Sequence, residues 1–428
     1  MDDRSRALFL LTLTASLGLL MLSGAPGCSG GPDEMIVPAD PAVPTPKGWL
    51  KGNTHTHSLW SDGDAAPEKI ADWYKSHGYQ FLVLSDHNIV LDGEKWRKVG
   101  TGKAEATPEH VAELQKKYGV AAVELRDIAG GKEMRLKTLS QLRKQFEQPD
   151  QFILISGEEI SDKFLEKVDG KTVSHPIHHI SLNHEKLIAP PGGSSVRDVL
   201  NRTIAAVEDE ARNSGRSVFV HLNHPNFEWG VTADDIAHAL GERFFEVYNG
   251  HRGVKNYGDK DHLSCEQIWD HVLALRLGKL KGPPVFAFAV DDAHHHHKEQ
   301  GVANPGRGWI MVRGESLNPD ALVEALKRGD FYATSGVVLE DVQATKESLS
   351  VKISAETGIQ YTTRFIGMKG GKSGVVLQET QGPSASYRFT GDELYVRATV
   401  VSTKPHPNGY EKTDMQTAWV QPVVVAGK

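Results

Sequence analysis

The sequence predicts an α/β domain built on a parallel sheet, open or closed into a barrel, followed by a small all-β domain. Two patterns and one count predict this. From Leu50 to about residue 335, short apolar runs alternate with helical stretches, as in successive βαβ units. Beyond about residue 337 the period falls to two, as in Leu349-Val351-Ile353 and Leu394-Val396-Ala398-Val400, with Gly, Pro and Asn between segments. A length of 428 residues fits two domains, or one large barrel with an appendage. A net charge of −7 argues against a general nucleic-acid binder, which would carry a basic surface. Two cysteines exclude a disulfide scaffold and a thiolate metal cluster. The outlier is 20 histidines, the commonest metal ligand and the usual proton carrier near neutral pH.

The first element is an address. Ala7 to Leu22 is an apolar run too short for the roughly 20 residues of a membrane span. It follows Arg4 and Arg6 and leads into Ser23-Gly24-Ala25, the pattern of a secretory signal peptide over residues 1–28. Ser23 and Ala25 fit one cleavage route. Gly27-Cys28 resembles a lipoprotein signal, in which Cys28 would anchor the chain to a membrane, although Ala25 stands where a Leu is usual. The expected location is the periplasm or cell envelope. Residues 29–47, rich in proline, read as an extended tether.

The catalytic-type domain is expected over 48–335. Strands are predicted at 50–54, 80–85, 151–156, 177–182, 217–222, 244–248 and 284–290, with helices at 66–77, 197–213 and 264–277 between several of them. A further β-type run at 308–313 and a helix at 318–328, started by Asn318-Pro319, complete it. The segment 89–150 is a long insertion with helices from Thr107-Pro108 and near 137–147. It carries 12 Lys/Arg against 9 Asp/Glu over 92–148. It reads as a solvated surface insertion, with a lid over an anionic substrate as the alternative. Residues 336–428 form the expected sandwich-like β domain.

Most of the histidines that matter follow predicted strands, the edge on which α/β sites are built. His55 and His57 form His-x-His after the first strand, where extended backbone sends both side chains the same way. Asp62 lies in Ser-Asp-Gly, able to swing a carboxylate back. Asp86-His87, Gly157-Glu158-Glu159, His178-His179, His221 with His224, and Asp291-Asp292-Ala293-His294 mark the second, third, fourth, fifth and seventh strands. Repetition around one rim argues for a shared metal site. Imidazole and carboxylate without thiolate suit Zn, Mn or Fe, and the number of donors implies two or three divalent ions. No Gly-x-Ser-x-Gly elbow is present, and Cys265 lies on an amphipathic helix, so the expected nucleophile is metal-bound hydroxide.

These motifs resemble those of the PHP (polymerase and histidinol phosphatase) superfamily over about 48–335. The carriers are His55-Thr-His57, Ser-Asp62-Gly, Leu-Ser-Asp86-His87-Asn, Gly157-Glu-Glu159, His179-Ile, His224-Pro and Asp292-Ala-His294. The long second loop, Glu246-Val-Tyr-Asn249-Gly and Asp-Asp-Ala-His look most like the branch that includes carbaryl-type carbamate hydrolases. The resemblance implies a distorted seven-stranded (β/α) barrel with a multinuclear centre, usually a phosphoesterase. Its implied ligands are His55, His57, Asp62, His87, Glu159, His179, His224, Asp292 and His294. Their neighbours Glu158, His178, His221 and Asp291 compete with four of these. His295–His297 extend the last motif or form a solvated loop after it.

The leading expectation is therefore an exported metal-dependent phosphoesterase acting on a small phosphate ester, with no nucleic-acid partner. Arg252 and Arg307 are its candidate phosphate contacts. One alternative is a carbamate, ester or amide hydrolase using the same centre, with an aromatic slot drawn from Trp60, Trp96 or Trp229. The other is a non-catalytic metal- or glycan-binding envelope protein.

Overall fold

The computed structural model describes residues 45–297 and 301–425. The expected leader, Cys28 and the tether up to residue 44 lie outside the described residues. The chain opens with β1 (Trp49–Asn53), α1 (Pro67–Ser76) and β2 (Phe81–Val83). Pro67 begins α1, where a missing N–H forfeits no helical hydrogen bond. The insertion folds as a small antiparallel sheet of β3 (Trp96–Val99), β4 (Leu125–Ile128) and β5 (Gly131–Arg135), flanked by α2 (Pro108–Tyr118) and α3 (Leu139–Phe146). Thr107 and Thr138 cap the two helices by accepting from the amides of His110 and Gln141.

After β6 (Ile153–Ile155) come β7 (Gly157–Val168) and β8 (Lys171–Leu182), then α4 (Val196–Ser214), β9 (Phe219–Leu222), α5 (Ala233–His238) and β10 (Phe244–Asn249). The run ends with α6 (Cys265–Ala274), β11 (Phe286–Val290), β12 (Trp309–Arg313), α7 (Pro319–Arg328) and β13 (Phe331–Thr334). Every strand and helix expected over 50–328 is present, with ends shifted by a few residues. The large difference is β7, a twelve-residue strand where only a loop was expected. It pairs antiparallel with β8 through the turn Asp169-Gly170, both at positive φ (49° and 77°). Asp-Gly is a strong hairpin signal. The charged outer half of β7 masks it, because that half is exposed and has no apolar alternation.

Of the distorted seven-stranded barrel implied by the resemblance, no closed form is found among the described residues. The strands form two open sheets, with orders β6-β2-β1-β12-β13 within a larger sheet and β7-β8-β9-β10-β11. Among the described residues, the β-bridges between them along the rim are two isolated parallel ones, His87↔Glu159 and Thr56↔Ala293. The two sheets nevertheless share one interior, in which Val83, Ile155 and Ile310 pack with Ile180, Phe219, Phe288 and Val290. Both rim bridges pair a predicted site residue or its chain neighbour.

The remaining strands are β14 (Leu339–Ala344), β15 (Ser348–Ile353), β16 (Tyr361–Lys369), β17 (Lys372–Gln381), β18 (Ser384–Arg388), β19 (Tyr395–Pro405) and β20 (Met415–Val424). β14, β15 and β18 make a three-stranded sheet, while β20 pairs with β13 and so extends the sheet that carries β1. Leu349, Val351 and Ile353 alternate inward as expected and share a core with Trp49, Met311 and Tyr332. β19 is buried on both faces over its first half. On one face, Arg397 makes two 2.8 Å bonds to the Asp270 carboxylate on α6 and lies 4.7 Å from the Trp269 ring.

Candidate metal centre

The rim where β1, β2, β9 and β11 end, and where β7 begins beside β8, gathers nine side chains that could hold a metal ion. His55 and His57 leave the end of β1 on one side, as alternation requires, while the Thr54 hydroxyl reaches His221 and that of Thr56 donates to the Ala293 carbonyl. The His55 Nδ1 lies 2.7 Å from Glu246 Oε1 on β10, which makes it the donor and leaves the Nε2 lone pair facing the rim. That Nε2 is 3.1 Å from His57 Nε2, 3.2 Å from Asp292 Oδ1 and 3.6 Å from Glu159 Oε1.

Asp62 returns from its loop as expected. Its Oδ1 is 3.4 Å from His294 Nε2, 3.5 Å from His87 Nε2 and 4.0 Å from His57 Nδ1. Glu159 sits at the middle of the rim. Its Oε1 is 3.0 Å from His178 Nδ1 and 3.3 Å from His224 Nε2, and its Oε2 is 2.7 Å from His87 Nδ1. Four overlapping donor groups result: His57/Asp62/His87/His294, His55/His57/Glu159, His55/His224/Asp292 and His87/Glu159/His178.

These groups fit divalent ions. Ligands bonded at about 2.1 Å in a tetrahedron stand roughly 3.4 Å apart, close to the 3.4–3.5 Å separations from Asp62 to His294 and His87. Hydrogen bonding within the cluster leaves His57 Nδ1 buried without a hydrogen-bond partner. Charge agrees. Burial would raise the carboxyl groups of Glu159 and Asp292, but the surrounding imidazoles hold both well below the ordinary range. Burial, with His294 and His87 nearby, pushes His57 down to about 3, so it stays neutral with a lone pair to give.

Strand alternation separates the competing neighbours. Glu158 points away from Glu159 and accepts from the Ile188 amide. Asp291 faces inward, accepting from Asn53, Tyr74 and the amides of Arg307 and Gly308. Those bonds hold the strand end, while Asp292 at φ 48° turns its carboxylate to the rim in a conformation that costs about 1–3 kcal/mol. Asp86 likewise caps the loop of Ser58 and Ser61. His221 is buried against the Phe288 ring beneath the rim.

Eight of the nine ligands implied by the resemblance come together. The ninth does not. His179 faces away, bonded to Glu242 at 2.8 Å, and His178 occupies the rim position instead. The two arginines offered for phosphate are also elsewhere. Arg307 is fully buried and donates to the carbonyls of Gly250, Gly301, Val302 and Asn408. Arg252 donates to the carbonyls of Gly409 and Tyr410. Both clamp the β19–β20 turn onto the loops after β10 and β11, the second of which carries Asp292 and His294. Of the tryptophans, Trp60 is buried and bonded to Lys137 O, Trp96 lies beside Arg126, and Trp229 stacks on His262. The aromatic nearest the cluster is Phe227, 5.2 Å from the His224 ring. Nothing in the chain's periodicity marked Glu246 or Phe227. Glu246 stood out only within the resembling motif.

No protein-family model matches the chain, and no curated protein matches it. Among solved structures it is similar to a two-domain protein from Bacteroides vulgatus containing a predicted PHP-like metal-dependent phosphoesterase. That match has 13% identity and a TM-score of 0.40, covering 89% of this chain and 97% of that one. It is also similar to a candidate metal-dependent phosphoesterase from Bifidobacterium adolescentis, with 13% identity and a TM-score of 0.29, covering 65% and 96%.

Proposed function

We propose that this protein is a metal-dependent hydrolase of the PHP type, with phosphate esters as its first substrate class. One observation carries the reading: four donor groups share His55, His57, His87 and Glu159, so ions held by them would be neighbours. Two or three divalent ions of the Zn, Mn or Fe kind held there would supply Lewis acidity and an acidified water. The chain's own residues do the rest. Glu246 fixes the tautomer of His55. Asn249 Nδ2 bonds Glu246 at 2.8 Å and Asp292 at 3.1 Å, coupling the two carboxylates. Ser161 Oγ lies 2.6 Å from His87 Nδ1 and orients that ring.

With Arg252 and Arg307 committed to carbonyls, the two cationic contacts first expected of a phosphate site are not at the rim. That favours a second reading, a carbamate or aryl-ester hydrolase, for which Phe227 supplies the apolar wall. A panel of phosphomonoester, phosphodiester, aryl ester and aryl carbamate on one metal-loaded preparation separates the two. Hydrolysis of none of them above a His57→Ala control would sink both. The apolar run Ala7–Leu22 supports export, with Cys28 as a lipid anchor, and cell fractionation with mass analysis of the mature N-terminus tests it.

A further inference from the structure

One imidazole beside the rim carries a hydrogen where His55 offers a lone pair. His251 follows Asn249-Gly250 on the loop after β10 and is half-buried. Its backbone N–H donates to Asn249 Oδ1 at 2.8 Å, and its carbonyl accepts from the Val254 amide at 3.0 Å. The ring is held by the Gly253 amide, which donates to His251 Nδ1 at 2.9 Å. The approach is close: a side chain at Gly253 would begin 2.7 Å from His251 Cε1 and 2.8 Å from Nδ1. A backbone N–H can only donate, so Nδ1 is the acceptor and the ring's hydrogen sits on Nε2.

That tautomer separates His251 from the candidate ligands. Glu246 makes His55 Nδ1 a donor and so leaves a lone pair on its Nε2. At His251 the pattern is reversed, and the ring belongs to none of the four donor groups. It nevertheless stands beside them. Its centroid is 5.5 Å from that of the His294 ring, and the charges it feels are those of Asp292, His294, His224 and His55. Phe227 stands by the same loop, 3.7 Å from where a Gly253 side chain would begin and 5.2 Å from the His224 ring. Among the described residues Nε2 has no hydrogen-bond partner, and it is open to solvent. The loop is already fixed. Arg252 N–H donates to Val302 O at 3.0 Å, and its guanidinium is tied to the carbonyls of Gly409 and Tyr410. A donor set in place beforehand costs no reorganisation when negative charge develops.

We propose that His251 is a substrate-contacting residue of the rim, its Nε2–H donating to an oxygen of the ester as that oxygen gains negative charge. The role is that of a neutral hydrogen-bond donor, with no proton transferred. It fills the place that Arg252 and Arg307 leave empty, for a phosphoryl or a carbonyl oxygen alike. The inference rests on the metal-dependent hydrolase reading.

The test compares the metal-loaded parent with His251→Ala and His251→Gln. Gln carries an NH2 to about the reach of Nε2, whereas Ala has no donor. Each protein is read for metal equivalents by elemental analysis, for kcat and KM on the best ester of the panel, and for affinity toward inorganic phosphate by calorimetry. His251→Ala should keep the parent's metal equivalents and lower kcat by roughly 10²- to 10³-fold with KM little changed. It should also weaken phosphate binding by about 10-fold. His251→Gln should recover most of either loss. Loss of a metal equivalent in His251→Ala overturns the proposal, because the ring would then be a ligand. So does a His251→Ala protein with kcat and phosphate affinity both within twofold of the parent, and so do equal losses in the two variants. A parent that cleaves no ester, yet binds phosphate more tightly than His251→Ala, refutes the proposed function and leaves the His251 contact standing.

Discussion

Replacing Glu246 by Gln probes the rim without touching a predicted ligand. Glu246 is fully buried and accepts three bonds: Oε1 from His55 Nδ1 at 2.7 Å, and Oε2 from the His224 amide at 2.9 Å and Asn249 Nδ2 at 2.8 Å. Glutamine keeps one acceptor and turns the other into a donor. If its NH2 faces His55, the ring must move its proton to Nε2, and the lone pair facing His57 and Asp292 is lost. If it faces His224, a buried amide is left unpaired at a cost of about 1–3 kcal/mol. Loss of such a supporting carboxylate weakens metal binding by roughly 10- to 100-fold, or about 1.4–2.7 kcal/mol. Competition with a chromophoric chelator for Zn(II) at neutral pH reads this directly. Glu242→Gln is the control, because it bonds His179 away from the rim and should lower Tm with affinity unchanged. A Glu246→Gln protein whose affinity stays within twofold of the parent would refute the tautomer argument.

Three further outcomes follow from the same geometry. His178→Ala should reduce metal affinity and hydrolysis, whereas His179→Ala should lower Tm and spare affinity; the reverse pattern in a paired titration would show that the alternation has been misassigned. Asp270→Asn, which strips a buried carboxylate from Arg397, should destabilise the protein by about 3–5 kcal/mol in urea unfolding. Glu393 is buried, which alone would raise its pKa, but the hydroxyls of Tyr387 and Thr390 hold it down to about 2. Its contribution is therefore present above the unfolded value near 4.5 and is lost as pH falls through 2. Glu393→Gln should cost about 2 kcal/mol at pH 7, with the gap from the parent closing between pH 4.5 and 2 in denaturant titrations.

Much of this protein was legible in one dimension. The apolar runs located the strands, and the punctuation located most of the helices, because period and capping are local properties. The donor types were legible too: His-x-His, the Ser-Asp-Gly loop and Asp292-Ala-His294 need only an extended backbone and a strand end to meet at one rim. Tertiary pairing decided the rest. A strand sends neighbours to opposite faces, so which of His178 and His179 reaches the rim depends on how β8 registers against β7 and β9. Arg252 and Arg307 could be placed near the rim from their loops. Their partners are carbonyls of a turn about a hundred or more residues away, which no local pattern encodes. Closure of the sheet was likewise a matter of pairing, and the pairing gives two sheets that meet at the histidine-rich rim. Residue chemistry along the chain thus determined which donor types are on offer, and long-range registry determined which of them meet.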